Sequence, residues 1–447
     1  MDPYRLDSTK IKSPPSTFLE RLKFLGPGFI LSATIVGSGE LIATTTLGAK
    51  AGFVTFWVIL VSCLVKVAIQ VQFAKYTILT GETAMAAMNK LPGLRIGPAS
   101  WSIYLYLLIM LLKLFQVGGI IGGVALVLNM VMPGIPVLVW TFILAPVTSL
   151  LVFRGYYASL EKISLVLLAG FTIFALASVY FLQFTPYAIT LSQVTSGLTF
   201  SLPREAVFFA FGAFGITGIG GEEIVYYNYW CLEKGYAAFT GPRDDSPGWH
   251  QRAKGWIKVM YTDALSAMIL YTLVTAAFYL LGAAVLHARS SVPEGYELLR
   301  ELSGIFTASL GPWAHWFFMA GAFMVLYSTL FSALAAWTRL YADIFGRIGW
   351  INFDDLHQRS RSIAILSWVF PLLWALLFLF IELPTAMVLS GGIAGSVLLI
   401  LIVYVTWYFR YRTAAGKFET SRSFDVLFWL SIVAIMGVSL YGVVQLF

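Results

Sequence analysis

Charged residues are scarce in this sequence: Asp, Glu, Lys and Arg together make up 11% of its 447 residues, against roughly a quarter in a soluble domain. Hydrophobic residues make up 59%. Apolar runs of about 20 residues, each long enough to cross ~30 Å of hydrocarbon, recur almost from end to end. The runs are too long and too continuously apolar for barrel strands, so we predict an all-α membrane protein and not a soluble enzyme.

Cysteine and histidine are also rare. The two cysteines, Cys63 and Cys231, lie in or beside apolar segments without metal-type spacing, so no disulfide scaffold is indicated. No histidine falls at mid-membrane, which excludes imidazole there as a metal ligand or proton carrier. The four histidines are His250, His287, His315 and His357. Nucleotide-binding loops, nucleophile elbows and metalloprotease motifs are absent from the sequence, so ATP-driven transport, hydrolysis and a bound cofactor are not predicted.

The apolar runs predict eleven spans within one transmembrane domain. The predicted spans cover roughly residues 27–51, 53–78, 99–131, 134–153, 159–184, 205–231, 256–286, 308–338, 362–382, 384–408 and 424–446. Residues 1–25 are polar and basic and are predicted to form a cytoplasmic tail, with residues 26–447 as the transmembrane domain. With the tail inside, most of the 29 Lys and Arg residues fall in cytoplasmic segments, and the C-terminus lies outside.

The net charge of +7 does not indicate a nucleic-acid partner, because the basic residues lie where determinants of membrane topology are expected. The predicted partners are the lipid bilayer and a transported cation or small molecule. We expect a monomer in the cell (inner) membrane.

Two spans contain a glycine cluster that is followed at once by carboxylate. The clusters are Gly37-Ser38-Gly39-Glu40 in the first span and Gly218-Ile219-Gly220-Gly221-Glu222-Glu223 in the sixth. Glycine permits non-helical φ and ψ and lowers helix propensity by about 1 kcal/mol per residue, so each helix is expected to open there. Opened backbone within a membrane must face protein or water, because its N–H and C=O groups would be unpaired in lipid. We therefore predict an internal polar site at the two breaks.

Interruptions in the first and sixth spans have the spacing of two inverted five-helix repeats, whose broken first helices meet at the bilayer midplane. The repeats cover about residues 26–184 and 205–408, and an extra helix follows at about 424–446.

Motifs along nearly the whole chain resemble the Nramp (natural resistance-associated macrophage protein) family of proton-coupled divalent metal transporters. They are Gly26-Pro27-Gly28-Phe29, Gly48-Ala49-Lys50-Ala51-Gly52, Thr80-Gly81-Glu82-Thr83, Gly123, Asn129, Leu160-Glu161, Gly215-Ile216-Thr217 and Asp263-Ala264. The resemblance implies a leucine-transporter-like fold of two inverted five-helix repeats, here followed by an eleventh transmembrane helix.

The chain departs from the family at the metal-binding motifs. The family's Asp-Pro-Gly-Asn motif is replaced at residues 37–40, and its Met-Pro-His motif aligns with Ile-Gly-Gly at residues 219–221. In the third span, Lys113 and Gln116 stand near where the family places acidic residues linked to proton movement. Neither the family's metal ligands nor its proton route therefore carries over to this divergent member.

Three glutamates near mid-bilayer, Glu40, Glu222 and Glu223, need a physical reason, because an ionised group there costs several kcal/mol unless it is solvated or paired. One interpretation is that they ligate a cation together with carbonyl groups freed at the breaks. Another is an internal ion pair in which Lys113 or Lys66 neutralises one glutamate. A third is that a glutamate carries protons, since desolvation favours its neutral form.

The predicted substrate-binding set joins the two clusters to one residue of the eighth span, at a position where the family usually has Gln. The set is Gly37, Ser38, Gly39, Glu40, Gly218, Gly220, Gly221, Glu222, Glu223 and Tyr327, with Glu40, Glu222 and Glu223 as metal ligands and with Lys113 and Gln116 as ion-pair or coupling residues. The adjacent Ser328 and Thr329 lie where relatives of this fold often place ion-coordinating groups, and we interpret them instead as packing residues that bond their own helix backbone. Asp263 is interpreted as a cap or salt-bridge residue.

Carboxylates, carbonyls and water favour hard cations, so the main prediction is a secondary-active transporter of Mg²⁺ or Mn²⁺. The alternative is a transporter of a small organic zwitterion or amine. A Gly-Ser-Gly break also resembles amino-acid permeases of the wider superfamily, in which N–H groups at a half-helix N-terminus receive a substrate carboxylate. A membrane sensor or scaffold stays open as a third class if Lys113 permanently neutralises the site.

Overall fold

The structure, a computed structural model, describes residues 2–37, 39–289, 297–381, 384–419 and 421–445. Its helices form eleven main segments, and each overlaps one of the spans predicted from the sequence. In chain order they are span 1 (Pro27–Ile35 with Gly39–Ala51), span 2 (Phe56–Thr80), span 3 (Trp101–Val131), span 4 (Val137–Val152), span 5 (Tyr157–Leu182), span 6 (Arg204–Lys234), span 7 (Pro247–Leu286), span 8 (Trp313–Ile348), span 9 (Leu356–Ile381), span 10 (Pro384–Arg412) and span 11 (Arg422–Gln445).

These lengths and compositions suit a membrane. Within the ranges given above, nine helices are long and apolar enough to cross a bilayer, and the two halves of span 1, bent by 45° at their break, make a tenth. Span 4 is shorter, with 16 residues, and at 1.5 Å per residue it covers about 24 Å. The all-α prediction is confirmed.

The connections contain short helices and one hairpin. These are Ser8–Lys10, Phe18–Leu22, Ala84–Met88, Leu191–Ser196, Tyr236–Thr240 and Glu297–Leu310, with the antiparallel strands Arg95–Ile96 and Ala99–Ser100.

The helices of spans 7 and 8 extend furthest beyond the apolar stretches predicted from the sequence. Span 7 begins at Pro247 and not near residue 256, and the Ser246 hydroxyl caps it by accepting a hydrogen bond from the Trp249 N–H. Span 8 continues to Ile348, past the predicted end at residue 338, and a separate helix, Glu297–Leu310, precedes it. Both helices extend beyond their apolar stretch in polar turns, which a search for hydrophobic runs does not detect.

Burial separates central from peripheral spans. In spans 6 and 8, 78% of the most apolar stretch is buried inside the protein, compared with 33% in span 5 and 22% in span 11. The spans that carry the polar clusters therefore lie in the interior, whereas spans 5 and 11 present most of their surface to the surroundings.

The first glycine cluster interrupts span 1. Half-helix 1a (Pro27–Ile35) ends where Val36 adopts an extended conformation, with φ −74° and ψ 96°. Half-helix 1b (Gly39–Ala51) begins with a π-helical turn that contains Glu40. Turns of this kind are rare and occur often at functional sites.

The second glycine cluster interrupts span 6. Half-helix 6a (Val207–Ile216) ends at Thr217, which is extended with ψ 144°. Gly218 follows with φ +63°, a conformation that L side chains rarely adopt, and half-helix 6b (Gly221–Lys234) begins three residues later. The expected helix opening is therefore present in both spans.

The two breaks lie against each other. A Cβ on Gly39 would overlap the side chain of Ile216, so half-helix 1b approaches the end of half-helix 6a at a distance that only glycine permits. A Cβ on the adjacent Gly215 would overlap the carbonyl oxygen of Gly392 in span 10. Close packing of small residues thus brings the two polar clusters together.

Candidate functional site

Glu40 lies across the break in span 1. Its side chain is fully buried, and its Oε2 accepts a hydrogen bond of 3.1 Å from the backbone N–H of Gly37. Its Oε1 accepts one of 3.4 Å from the Thr275 hydroxyl of span 7. The carboxylate thus satisfies backbone that the break has freed, as a capping side chain does at a helix N-terminus. The predicted site residue Ser38 lies outside the described residues.

Hydroxyl groups of span 8 satisfy the carbonyls at the end of half-helix 1a. Ser328 donates to the carbonyl of Val36 at 3.3 Å, and Thr329 donates to the carbonyls of Thr34 and Val36 at 3.2 and 3.4 Å. The sequence interpretation was therefore incomplete for Ser328, which also contacts its own helix at Val325, and wrong for Thr329. A Cβ on Gly37 would overlap the Thr329 hydroxyl, so this glycine makes the contact possible.

At the second break, Lys113 of span 3 forms an ion pair with Glu222. The ammonium group contacts Glu222 Oε1, and the two side chains are 4% and 5% exposed. Of the alternatives left open by the sequence, the structure has the ion pair at Glu222. Its other oxygen, Oε2, has no hydrogen-bond partner among the described residues, so one buried acceptor of the pair stays free.

Glu223 is the more open of the two adjacent glutamates. It is partly exposed, whereas Glu222 is buried. A Cβ on Gly220 would overlap Glu223 Oε2 and would lie 3.3 Å from Glu222 Oε2, so both carboxylates fold back over the start of half-helix 6b. The positive end of the helix dipole favours negative charge at this position.

Two predicted site residues on neighbouring spans differ in orientation. Gln116 of span 3 lies against Gly391 of span 10, and its Oε1 is a buried oxygen without a hydrogen-bond partner in the described part of the chain. Tyr327 stacks on Phe323 at 5.2 Å and its hydroxyl lies 3.5 Å from that of Thr148 in span 4. Tyr327 therefore faces span 4 and not the two breaks.

Lys66 does not neutralise a glutamate by direct contact. Its ammonium donates to the backbone carbonyls of Phe214 and Thr217 at the end of half-helix 6a. The sequence considered it only as a possible ion-pair partner of a glutamate, because chain position alone does not reveal an acceptor on another helix.

The arrangement as a whole is acidic and rich in oxygen acceptors, with the Cys63 thiol of span 2 beside Gly218. Three glutamates and two lysines surround the breaks, and among the residues that the structure describes no group of three or more His, Cys, Asp or Glu side chains is arranged to hold a metal ion. A cation with several carboxylate ligands would therefore need side chains to move. One such movement is the separation of Lys113 from Glu222.

A second polar cluster lies at the start of span 1, on the side of the bundle where the N-terminal segment packs. Asp263 of span 7 accepts hydrogen bonds from the N–H groups of Gly26 and Gly28, at 2.8 and 2.6 Å, and from the Tyr227 hydroxyl at 2.8 Å. Asp263 thus caps half-helix 1a, as one of its two sequence interpretations predicted. The cluster unites two of the motifs on which the family resemblance rests.

Comparison with known proteins decides the family. The sequence profile described as natural resistance-associated macrophage protein-like matches residues 28–445. The chain belongs to the Nramp family. Nramp proteins are transporters, so the prediction of a transporter and not an enzyme is confirmed, as is that of an integral membrane protein.

Individual relatives of this Nramp chain are distant. It is 23% identical over 352 residues to an uncharacterized protein of Pasteurella multocida, an alignment that covers 75% of this chain and 73% of the relative. It is 27% identical over 298 residues to a divalent metal cation transporter, MntH, of Xanthomonas campestris pv. campestris, which covers 64% and 62%.

Solved structures support the predicted fold. A mutant of the Eremococcus coleocola manganese transporter superimposes with a TM-score of 0.73, at 14% identity and over 98% of this chain and 90% of that one. MhsT in complex with L-phenylalanine superimposes with a TM-score of 0.59, at 16% identity and over 96% and 100%. The leucine-transporter-like fold predicted for this Nramp chain is confirmed.

Proposed function

We propose that this Nramp chain is a secondary-active transporter of a hard divalent cation, Mn²⁺ or Mg²⁺, which binds between the breaks of spans 1 and 6. The observation that carries the proposal is the convergence of Glu40, Glu222 and Glu223 on two adjacent interruptions of buried helices. Carboxylates in the interior of a membrane protein are costly and mark ion pathways.

Ligand chemistry favours hard cations. The oxygens available are those of the three glutamates, the amide oxygen of Gln116 and the carbonyls at the breaks, and two of them, Glu222 Oε2 and Gln116 Oε1, are buried acceptors with no partner among the described residues. Carboxylate and carbonyl oxygens suit Mn²⁺ and Mg²⁺, whereas soft metals prefer thiolate or thioether. The names of the MntH relative and of the Eremococcus transporter, a divalent cation and a manganese transporter, support the same class.

Binding requires an exchange of charges. In the arrangement described, the Lys113 ammonium occupies the cation position beside Glu222. An incoming divalent cation takes that position, and Lys113 moves away because two like charges cannot share one carboxylate in a poorly solvated site. Glu40 and Glu223 then supply the remaining carboxylate ligands of the cation.

The test is flux in proteoliposomes. We expect uptake of Mn²⁺ or Mg²⁺ by the native chain and at least a tenfold loss in Glu223→Gln and Glu222→Gln. Glu82→Gln is the matched control, because Glu82 pairs with Lys90 in a connection outside the breaks. Absence of flux for both ions in the native chain, or equal flux in all variants, would reject the proposal.

The second candidate is transport of a small organic zwitterion or amine. It is favoured by the intact Lys113–Glu222 pair and by the absence of a three-ligand cluster in the described residues. The first N–H groups of half-helix 1b, at the Gly-Ser-Gly break, would then receive a carboxylate, and Glu222 or Glu223 an ammonium group. Calorimetric titration separates the two: heats with amino acids or small amines, and none with Mn²⁺ or Mg²⁺, would replace the first proposal by the second.

A further inference from the structure

The end of half-helix 6a is closed by side chains of span 2. The last carbonyls of a helix lack partners within the helix, and at 6a these include the carbonyls of Phe214 and Thr217 because the chain turns extended at Thr217. Gly218 then passes so close to span 2 that a Cβ on it would lie 2.9 Å from the Cα of Cys63. Span 2 therefore packs directly on the broken end.

Lys66 and Ser62, one helical turn apart, reach these carbonyls. The Lys66 ammonium donates to Phe214 and, at 2.9 Å, to Thr217. The Ser62 hydroxyl lies 3.2 and 3.0 Å from the same two oxygens and accepts a hydrogen bond from the Thr217 hydroxyl at 2.9 Å. The ammonium also stands 4.5 Å from the centre of the Phe214 ring. Both side chains are fully buried.

The groups around the Lys66 ammonium are of the kind that bind a desolvated monovalent cation. Helix C-termini carry a partial negative charge, and carbonyls of unwound helices bind Na⁺ in membrane transporters. A charge fully buried in a membrane protein persists only when dipoles or counter-charges replace its water. At Lys66 two carbonyls and an aromatic face supply that replacement in direct contact.

We propose that the end of half-helix 6a is a monovalent-cation site that the Lys66 ammonium fills as a tethered cation. The break in span 6 is then held by the chain itself, and no exchangeable Na⁺ or K⁺ is required there. This inference concerns the coupling ion and goes beyond the proposed function, because it holds whichever substrate binds at the glutamates.

The test is to empty the site with Lys66→Ala in the full-length purified chain. Removal of the side chain leaves a cavity beside two carbonyls and a hydroxyl, which a free cation can enter. We expect the melting temperature of Lys66→Ala to rise saturably with methylammonium, Na⁺ or K⁺ over that in choline at equal ionic strength, because a ligand that binds only the folded state stabilises it. The native chain should show no such difference.

Lys75→Ala is the matched control. Lys75 is also a buried lysine of span 2, and its ammonium contacts the carbonyl of Phe418 instead of the broken helix. Its loss should lower the melting temperature by the same amount in every salt. Equal destabilisation of Lys66→Ala in choline, Na⁺, K⁺ and methylammonium, including failure to fold in all four, would overturn the proposal. A melting temperature of the native chain that depends on Na⁺ or K⁺ would overturn it as well.

Discussion

Glu40 combines two roles that its residue type alone does not separate. Its carboxylate accepts a hydrogen bond from the Gly37 N–H and so stabilises the break, and its negative charge lies at the proposed cation site. A glutamine of the same shape keeps the acceptor oxygen and loses the charge. Alanine loses both.

We therefore expect Glu40→Gln to fold with nearly native stability and Glu40→Ala to lose about 1–3 kcal/mol, the cost of leaving a buried N–H unsatisfied. Both variants should lose stabilisation by Mn²⁺. Thermal unfolding with and without Mn²⁺ measures both effects. Retention of the full Mn²⁺ effect in Glu40→Gln would show that this charge does not bind the ion.

Lys113 and Glu222 stabilise each other's charge, because each side chain is buried and would be unpaired without the other. An isolated charge in the interior is penalised heavily, whereas an apolar pair of similar volume is often tolerated. The sequence placed both residues near the breaks, but it could not choose between ion pair, metal ligand and proton carrier. That choice depends on how spans 3 and 6 pack, which no local pattern specifies.

A double-mutant cycle tests this dependence. Lys113→Met should cost about 3–5 kcal/mol because it leaves Glu222 unpaired, and the double variant Lys113→Met/Glu222→Met should be more stable than that single variant. The control pair is Lys90 and Glu82, with 62% and 24% exposed side chains, for which we expect a coupling of at most ~1 kcal/mol. Denaturation in detergent micelles measures each corner. Additive effects at Lys113 and Glu222 would contradict a functional ion pair.

At the scale of elements, the sequence predicted the interrupted helices well because glycine acts locally on φ and ψ. The helices open at Val36 and between Thr217 and Gly220, next to the two clusters. The partners of the opened backbone were not predictable: Thr329 and Lys66 come from other spans, and neither differs by sequence alone from a packing residue or an ion-pair residue. Hydrogen bonds across a bundle depend on the rotation of each helix, which a nearly continuous apolar run does not fix.

Gly218 is constrained both by its backbone conformation and by close packing at the break. It has φ +63° and lies against Cys63, whereas Gly97, in the hairpin, has φ +61° and no atom within 4 Å of the place that a Cβ would take. Alanine costs roughly 1–2 kcal/mol from the left-handed conformation alone at either site. Gly218→Ala should therefore destabilise the chain clearly more than Gly97→Ala, as measured by melting temperature. Equal shifts would mean that span 2 does not constrain the break.

At the scale of the whole molecule, the N-terminal segment links several spans. Tyr4 donates to Glu233 of half-helix 6b at 2.5 Å, and Glu233 also accepts a hydrogen bond from Arg339 of span 8 at 2.7 Å. Asp2 pairs with Arg359 of span 9 at 2.7 Å. Burial and then the nearby Glu233 carboxylate raise the pKa of Tyr4 well above its ordinary value, so the phenol stays a donor at neutral pH.

The sequence predicted this segment only as a polar, basic tail. Its contacts were not predictable because they join residues more than 200 positions apart and involve no apolar periodicity. Half-helix 6b starts at the proposed cation site, and near its other end Glu233 contacts Tyr4 of the N-terminal segment. A movement of 6b away from this segment would break the contact of Tyr4 with Glu233, and Asp2 holds the same segment to span 9, so we expect the segment to act as a strap on that movement.

Loosening the strap should expose Cys231, which is buried in half-helix 6b two residues before Glu233. In a Cys63→Ala background, we expect Asp2→Ala/Tyr4→Phe to increase the rate of maleimide labelling at Cys231 by at least about threefold, because a loss of ~0.65 kcal/mol from the closed state triples the open population. Asp7→Ala is the control, since Asp7 is exposed and its side chain accepts a hydrogen bond from the Thr9 N–H within the same segment. Unchanged labelling in the strap variant would mean that 6b opens without releasing the N-terminal segment, and closure would then reside in the contacts of 6b with other spans, such as Glu233–Arg339 and Lys234–Glu161.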